Sequence, residues 1–149
     1  MSDKPRVLIA DDNQANVELL EAYLVELDCD IAVASDGQET LDQVAEFRPD
    51  VLLLDVMMPK FSGFEVCRQL KDDPQTSRIM ILMVTALNEF GDIERAVNVG
   101  TDDFLSKPVQ KLELVKRVQN MIRLKDVTDE VERLQRYICD MEDAQGPQA

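Results

Sequence analysis

The sequence predicts a doubly wound α/β fold, in which helices cover both faces of a parallel sheet. Short apolar runs alternate along the 149 residues with segments whose apolar residues recur at helical spacing. The runs are continuous, which is typical of parallel strands buried on both faces. Five strand and helix units with right-handed crossovers place helices on both sides of the sheet. The length fits one domain with a modest extra element.

The first unit begins with an apolar run at 7–10, which predicts a buried strand. Asn13 can cap the helix that follows, because its side chain can accept a hydrogen bond from the first turn. The apolar residues of this helix recur every three or four positions: Val17, Leu20, Leu24 and Leu27. This spacing predicts a helix with one buried face.

The second unit pairs a half-buried strand with a helix. Ile31 and Val33 alternate with smaller neighbours, and Asp36-Gly37 predicts a turn. Three apolar residues mark the helix: Leu41, Val44 and Ala45. Pro49-Asp50 ends it and leads into the third strand.

The third unit has a strand at 51–54 and a helix that begins at Ser62-Gly63-Phe64-Glu65, a capping-box pattern. Asp73-Pro74 ends that helix. Its inward residues are Val66, Cys67 and Leu70.

The fourth strand is predicted at 80–84, and the helix after it ends at Gly100. This fourth helix is marked by Ile93, Ala96 and Val97. A very short fifth strand follows, and the last helix starts after Pro108.

The last helix continues past the point where the domain should end. Its apolar residues recur at spacings of 3, 4, 3, 4 and 3: Leu124, Val127, Val131, Leu134, Ile138 and Met141. This is an a/d heptad seam over roughly two and a half heptads, and Gly146-Pro147 breaks the helix. The pattern indicates a coiled coil that dimerises or transmits a signal. The alternatives are a long helix that packs its stripe back onto its own domain, or a fraying end.

The composition argues against several classes of function. The net charge is −14, from 30 acidic and 16 basic residues, so direct nucleic-acid binding is not expected. The sequence has no basic-then-apolar leader and no apolar stretch of membrane-spanning length, which predicts a cytoplasmic protein without a membrane segment.

The reactive side chains are also limited. Cys29, Cys67 and Cys139 are widely spaced and form no C-x-x-C pair, so we expect reduced thiols and no metal cluster. The chain contains no histidine. A phosphohistidine or a histidine base would therefore have to come from a partner.

Polar residues follow four of the five predicted strands. Asp11-Asp12 follows the first strand, Asp55 the third, Thr85 the fourth and Lys107 the fifth. Binding and active sites of open α/β sheets lie beyond the carboxyl ends of the strands, so we expect these side chains to form one site. Mg²⁺ usually takes one or two carboxylates and fills its other positions with water and phosphate oxygens. Asp12 and Asp55 could bind it directly, and Asp11 through water.

The same site suits phosphoryl transfer. A carboxylate can attack phosphorus to form an aspartyl-phosphate, and a lysine can stabilise the transferred oxygens. Each residue alone has a simpler interpretation, such as a solvated acidic pair for Asp11-Asp12 or a solvated strand end for Asp55. Their joint occurrence at four strand ends favours a common site.

Four stretches carry a more specific pattern, in a fixed order and spacing: Val7-Leu8-Ile9-Ala10-Asp11-Asp12-Asn13, Leu53-Leu54-Asp55-Val56-Met57-Met58-Pro59, Val84-Thr85-Ala86 and Gly100-Thr101-Asp102-Asp103-Phe104-Leu105-Ser106-Lys107-Pro108. With them the chain resembles the receiver domain of two-component response regulators. The resemblance implies a flavodoxin-like, five-stranded parallel sheet in the order 2-1-3-4-5. It also implies a receiver domain at 5–124; the heptad pattern adds a helical extension at 125–145, predicted as a coiled coil, and the sequence predicts a disordered tail at 146–149.

The resemblance implies a role for each acid. Asp55 matches the phosphoacceptor, which takes a phosphoryl group from a histidine kinase or a phosphotransfer protein. Asp12 and Asp55 match the direct Mg²⁺ ligands, with the backbone carbonyl of Met57 as a third. Asp11 matches the acid that orients a metal-bound water.

Three further residues match the parts that respond to the phosphoryl group. Thr85 matches the hydroxyl that moves to one phosphoryl oxygen, and Lys107 the ammonium that contacts another. Phe104 matches the switch aromatic, which turns inward when Thr85 moves. The resemblance implies a signalling module with a changing surface on its fourth helix, fifth strand and fifth helix. It implies no turnover enzyme, and the heptads would reinforce a homodimer.

The chain departs from the family pattern in the loop after the phosphosite. Lys60-Phe61 stands where Gly is often found, and Ser62 where Asp is frequent. We expect phosphorylation to survive and partner contacts to differ. Met57 and Leu87 occupy the two positions at which the family tunes phosphoryl lifetime. Both are apolar and poor at positioning an attacking water, which predicts slow self-dephosphorylation.

The sequence is compatible with more than one kind of output for this chain and with two competing functions. Receivers with Asp73-Pro74 and a long last helix are often joined to cyclic-dinucleotide enzymes or sensor kinases, and no basic segment suggests a DNA-binding output. The chain is either such a receiver or a stand-alone regulator. A Mg²⁺-dependent phosphatase is disfavoured, because such enzymes commonly carry an acid where Met57 stands. A degenerate receiver that serves as a dimerisation scaffold is disfavoured by the intact acids, Thr85 and Lys107.

Overall fold

A computed structural model confirms the predicted doubly wound fold. It describes residues 4–86 and 90–145, except for the side chains of residues 90–93 and 143–145. Five parallel strands form one sheet in the order β2-β1-β3-β4-β5. The elements are β1 (Arg6–Ala10), α1 (Gln14–Leu24), β2 (Asp30–Ala34), α2 (Gly37–Phe47), β3 (Val51–Leu54), α3 (Gly63–Asp72), β4 (Met80–Thr85), α4 (Phe90–Asn98), β5 (Asp103–Ser106) and α5 (Lys111–Gln145).

The core consists of two apolar clusters, one on each face of the sheet. Successive strand residues point to opposite faces, so in β3 Leu52 and Leu54 face α2, α3 and α4, whereas Val51 and Leu53 face α1 and α5. All four are at most 1% exposed. Burial on both faces explains why β1, β3 and β4 are continuous apolar runs in the sequence.

Three helices begin at side chains that cap their first turn. Asn13 accepts a hydrogen bond from the backbone N–H of Asn16 at 3.2 Å, as the sequence predicts for α1. Ser62 accepts one from the N–H of Glu65 at 3.3 Å in α3. Each cap satisfies an N–H that has no partner within its helix.

The predicted turn at Asp36-Gly37 is instead the start of α2. Asp36 caps this helix by accepting a hydrogen bond from the N–H of Glu39 at 2.8 Å, and Gly37 is the first helical residue. Asp favours turns and helix caps for the same reason, since its side chain bonds nearby N–H groups. Ala45 lies in α2 and Val97 in α4, as predicted, but both side chains are exposed. The side chain of Ile93 lies outside the described residues.

The last helix, α5, is continuous over 35 residues, as the sequence predicts. Its first part packs against the core through Leu114, Val118 and Met121. The six heptad residues that follow are all exposed. This exposure argues against the alternative in which the stripe packs back onto its own domain. The predicted domain division at 124/125 stays a prediction, and the predicted tail at 146–149 lies outside the described residues.

Among the described helices, none combines the length and apolar character that a membrane span requires.

Candidate phosphoacceptor and metal site

The sheet brings the predicted site residues to one edge. In register, Ala10 of β1 pairs with Leu54 of β3, and Leu54 pairs with Met83 of β4, so these strands end side by side. Thr85 pairs with Ser106 of β5. The residues that follow β1, β3 and β5 therefore meet beyond the carboxyl edge, as expected for an open parallel sheet.

Three carboxylates form an acidic cluster, defined by Asp11, Asp12 and Asp55. One carboxylate oxygen from each lies within 4.8 Å of the others. Asp11 and Asp55 are 3% and 5% exposed, whereas Asp12 is exposed to solvent. The cluster thus has two buried acids and one acid open to solvent.

Backbone N–H groups hold the two buried carboxylates in place. The N–H of Asn13 donates to Oδ1 of Asp11 at 2.9 Å, and the N–H of Met57 donates to Oδ1 of Asp55 at 3.2 Å. The backbone N–H of Asp55 donates to the carbonyl of Ala10 at 2.9 Å, which ties β3 to the end of β1. Each carboxylate therefore keeps its second oxygen, Oδ2, for other partners.

Lys107 bridges the two buried acids. Its Nζ lies 3.1 Å from Oδ2 of Asp11 and 3.2 Å from Oδ2 of Asp55. Burial works against its charge, but the two carboxylates outweigh burial and raise the pKa of Lys107 above its usual value. The ammonium thus stays charged and is fixed between the two acids.

The electrostatics of the cluster favour a cation. Burial raises the pKa of Asp11, and the charge of Asp55 adds to this, while the Asn13 N–H and Lys107 oppose it. With all groups charged, three carboxylates and one ammonium leave two negative charges uncompensated. Carboxylate oxygens are hard donors that suit Mg²⁺. The cluster could therefore hold a divalent metal ion.

Thr85 is the last residue of β4, and Phe104 lies within β5. Thr85 is 1% exposed, and its backbone carbonyl accepts a hydrogen bond from the N–H of Lys107 at 3.1 Å. Phe104 is half-buried and packs against the core on the side of α2, α3 and α4. The structure thus places Thr85 at the end of β4 and Phe104 inside β5. Among the described site residues, direct side-chain contacts join Lys107 to Asp11 and Asp55. The side chain of Met57 is exposed, and Leu87 lies outside the described residues.

The close packing of Gly63 against the Asp55 backbone does not follow from the sequence pattern. A Cβ at this position would lie 2.3 Å from the carbonyl oxygen of Asp55 and 2.8 Å from the Cα of Val56. The N–H of Gly63 also donates to the carbonyl of Val56 at 2.9 Å. The start of α3 is therefore packed directly on the backbone of the proposed phosphoacceptor. The only sequence signal is a glycine inside a capping box.

The loop after β3 is held against the start of α2. Lys60 adopts a left-handed backbone with φ of 71°, a conformation that favours glycine, and its Nζ lies 3.4 Å from Asp36. The N–H of Gly37 donates to the carbonyl of Pro59 at 3.1 Å. A Cβ on Gly37 would lie 2.5 Å from Phe61 Cβ. The departure noted at Lys60-Phe61 thus sits in an ordered, tightly packed loop.

Comparisons with known proteins point to one family. Residues 7–119 match the family model described as the response regulator receiver domain. The chain is 45% identical over 126 residues to the response regulator PleD of Caulobacter vibrioides, which covers 85% of this chain and 28% of PleD. It is 37% identical over 122 residues to the DNA-binding dual master transcriptional regulator RpaA of Synechocystis, covering 82% of this chain and 51% of RpaA.

A solved structure shows the same architecture. A putative response regulator from Chloroflexus aurantiacus superposes with a TM-score of 0.77 at 32% identity, covering 81% of this chain and 99% of that one. The chain spans about half or less of the curated relatives named above, at 51% of RpaA and 28% of PleD. The fold, the strand order and the matched span lead to one conclusion: the chain belongs to the response regulator receiver domain family.

Proposed function

We propose that this phosphoacceptor signalling module takes its phosphoryl group onto Asp55 from a histidine kinase or a phosphotransfer protein, with Mg²⁺ bound at the acidic cluster. The contact between Asp55 and Lys107, 3.2 Å long, carries the proposal. The carboxylate that would act as the nucleophile lies beside a fixed positive charge. The absence of histidine from these 149 residues supports a donor that lies outside this sequence.

The residues of the site suit an in-line transfer. One oxygen of Asp55 forms a bond to phosphorus while the bond from phosphorus to the donor's imidazole nitrogen breaks, and the imidazole leaves with the electron pair. The N–H of Met57 orients the carboxylate, and Lys107 lies where it can stabilise negative charge on the transferred group. Asp12, Asp55 and Asp11 would hold Mg²⁺ with the carbonyl of Met57, and the ion would supply further positive charge.

The switching surface in this proposal comprises α4, β5 and α5. The bond from the N–H of Lys107 to the carbonyl of Thr85 links the end of β5 to the end of β4. A displacement of Thr85 toward a phosphoryl oxygen would therefore act on both strands, and Phe104 on β5 would repack with it. The proposal includes a homodimer, and the charge of −14 supports protein partners over direct nucleic-acid contact.

Mass spectrometry of the intact protein tests the proposal. With acetyl phosphate and Mg²⁺, the unsubstituted chain should gain one phosphoryl group and Asp55→Asn should gain none. Asp72→Asn, the same chemical change at an exposed site in α3, should behave like the unsubstituted chain. Chelation of Mg²⁺ should slow the gain. Equal labelling of Asp55→Asn, or no labelling of the unsubstituted chain, would contradict the proposal.

A further inference from the structure

The extension of α5 carries an apolar stripe that nothing in the described chain covers. Its members are 45 to 57% exposed: Leu124, Val127, Val131, Leu134, Ile138 and Met141. The receiver core is complete without them, since the packed part of the helix ends near Met121. The stripe therefore lies outside the core of its own domain.

Two ion pairs hold the base of the extension to its own domain. Nζ of Lys125 lies 3.2 Å from Asp50, the residue before β3, and Arg78, just before β4, pairs with Glu132. Lys125 and Glu132 are seven residues apart, so they lie on the same side of the helix. At 3.6 residues per turn, this side is about 130° around the helix from the middle of the stripe.

These ion pairs decide where the stripe points. The side of α5 that carries Lys125 and Glu132 faces the receiver domain, so the stripe faces away from it. A rotation that turned the stripe inward would break both pairs. The stripe is thus presented to another molecule.

We propose that a second copy of this chain covers the stripe, with the two extensions parallel and in register. The proposal deepens the homodimer of the proposed function and rests on it. In heptad terms, the a positions are Leu124, Val131 and Ile138, and the d positions are Val127, Leu134 and Met141. The central heptad has β-branched Val131 at a and leucine at d, a combination that in parallel coiled coils favours two strands.

The charges along the extension also fit a second copy. A chain of net charge −14 repels its own copies unless its acids avoid the contact. Four acids of the extension lie at the outer positions b, c and f: Asp126, Asp129, Glu132 and Asp140. At the flanking g and e positions of a parallel pair, Glu130 meets Gln135 and Arg123 meets Thr128. Tyr137 meets Glu142, so no like charges face each other at these positions and charge repulsion does not oppose a parallel pair.

Disulfide trapping tests the arrangement, because a parallel pair in register brings identical residues together. In a background with Cys29→Ser and Cys139→Ser, Val131→Cys and Leu134→Cys should each form a disulfide-linked dimer on mild oxidation. Arg136→Cys, at an outer f position, is the matched control and should stay uncrosslinked. If trapping occurs only when Val131→Cys and Leu134→Cys chains are mixed, the helices are antiparallel and the proposal is overturned. Trapping of Arg136→Cys to the same extent overturns it as well.

Sedimentation provides the second measurement. The unsubstituted chain should sediment as a dimer, and Leu134→Glu should shift to monomer at the same concentration without loss of the receiver fold, because Leu134 makes no core contact. A monomeric unsubstituted chain would overturn the proposal. Phosphorylation of Asp55, read by mass on the same samples, is independent of both results. A failed dimer can therefore be told apart from a failed phosphoacceptor site.

Discussion

Replacing Gly63 with alanine should disturb Asp55, the proposed phosphoacceptor, through its backbone. The added Cβ would lie 2.3 Å from the carbonyl oxygen of Asp55 and 2.9 Å from its carbonyl carbon. Comfortable contacts are about 3.5–4.0 Å, so the backbone must separate by about 1 Å. The obstacle is backbone, and a side-chain rotation cannot relieve it.

The expected cost follows from two opposing effects. Overpacking of this kind costs about 1–3 kcal/mol. Alanine gains up to about 1 kcal/mol over glycine as a helix former. We therefore expect Gly63→Ala to lower the free energy of unfolding by about 1–2 kcal/mol, measured by urea titration. The same shift moves Asp55 relative to Lys107, so the rate of phosphorylation by acetyl phosphate should fall.

Ser62→Ala provides a matched control at the neighbouring residue. It removes the cap on Glu65 and should cost about 1 kcal/mol without approaching Asp55. Its phosphorylation rate should match that of the unsubstituted chain. If Gly63→Ala keeps full stability and full rate, then α3 does not constrain the phosphoacceptor and the reasoning is wrong. A slowed Ser62→Ala would attribute the effect to loss of stability alone.

Three other predictions concern the rest of the chain. Burial raises the pKa of the Cys67 thiol to about 11. At pH 8, iodoacetamide should therefore modify the exposed Cys139 and leave Cys67 unmodified until urea unfolds the protein. Equal rates of modification at the two cysteines would contradict this prediction. The Nζ of Lys71 lies 2.7 Å from Asp102 and 2.8 Å from the carbonyl of Ile79. Lys71→Met should therefore lower the free energy of unfolding, measured by urea titration, by about 2 kcal/mol. An unchanged urea midpoint would show that these contacts do not stabilise the fold. The apolar Met57 predicts slow phosphate release from the phosphorylated chain, and a half-life of seconds would refute it.

The fold and the edge that carries the site could be predicted because both follow from strand burial. A parallel strand covered on both faces must be apolar throughout, so β1, β3 and β4 stand out in the sequence. The first polar residue after such a strand must lie at the carboxyl edge. This places Asp11 and Asp55 near one another before any distance is known, whereas β5, which leads to Lys107, is not apolar throughout.

Other features depend on distances between segments far apart in the chain. The bridge from Lys107 to both Asp11 and Asp55 requires the ends of β1, β3 and β5 to sit within the reach of one lysine. The demand for glycine at Gly63 comes from the Asp55 backbone, which the local pattern does not show. The Asp36-Gly37 pattern predicts a turn where α2 begins, because one aspartate side chain serves a turn and a helix cap equally well.

Because α5 is continuous, it can carry a movement from the site to its far end. At 1.5 Å per residue, its 35 residues form a rod about 52 Å long. One end lies a few residues after Lys107, and ion pairs at Lys125 and Glu132 hold the helix to its own domain part of the way along. About 13 residues lie beyond Glu132, an arm of roughly 20 Å. A tilt of about 5° there would move the far end by nearly 2 Å, so a displacement near the acidic cluster would be carried to whatever the arm touches.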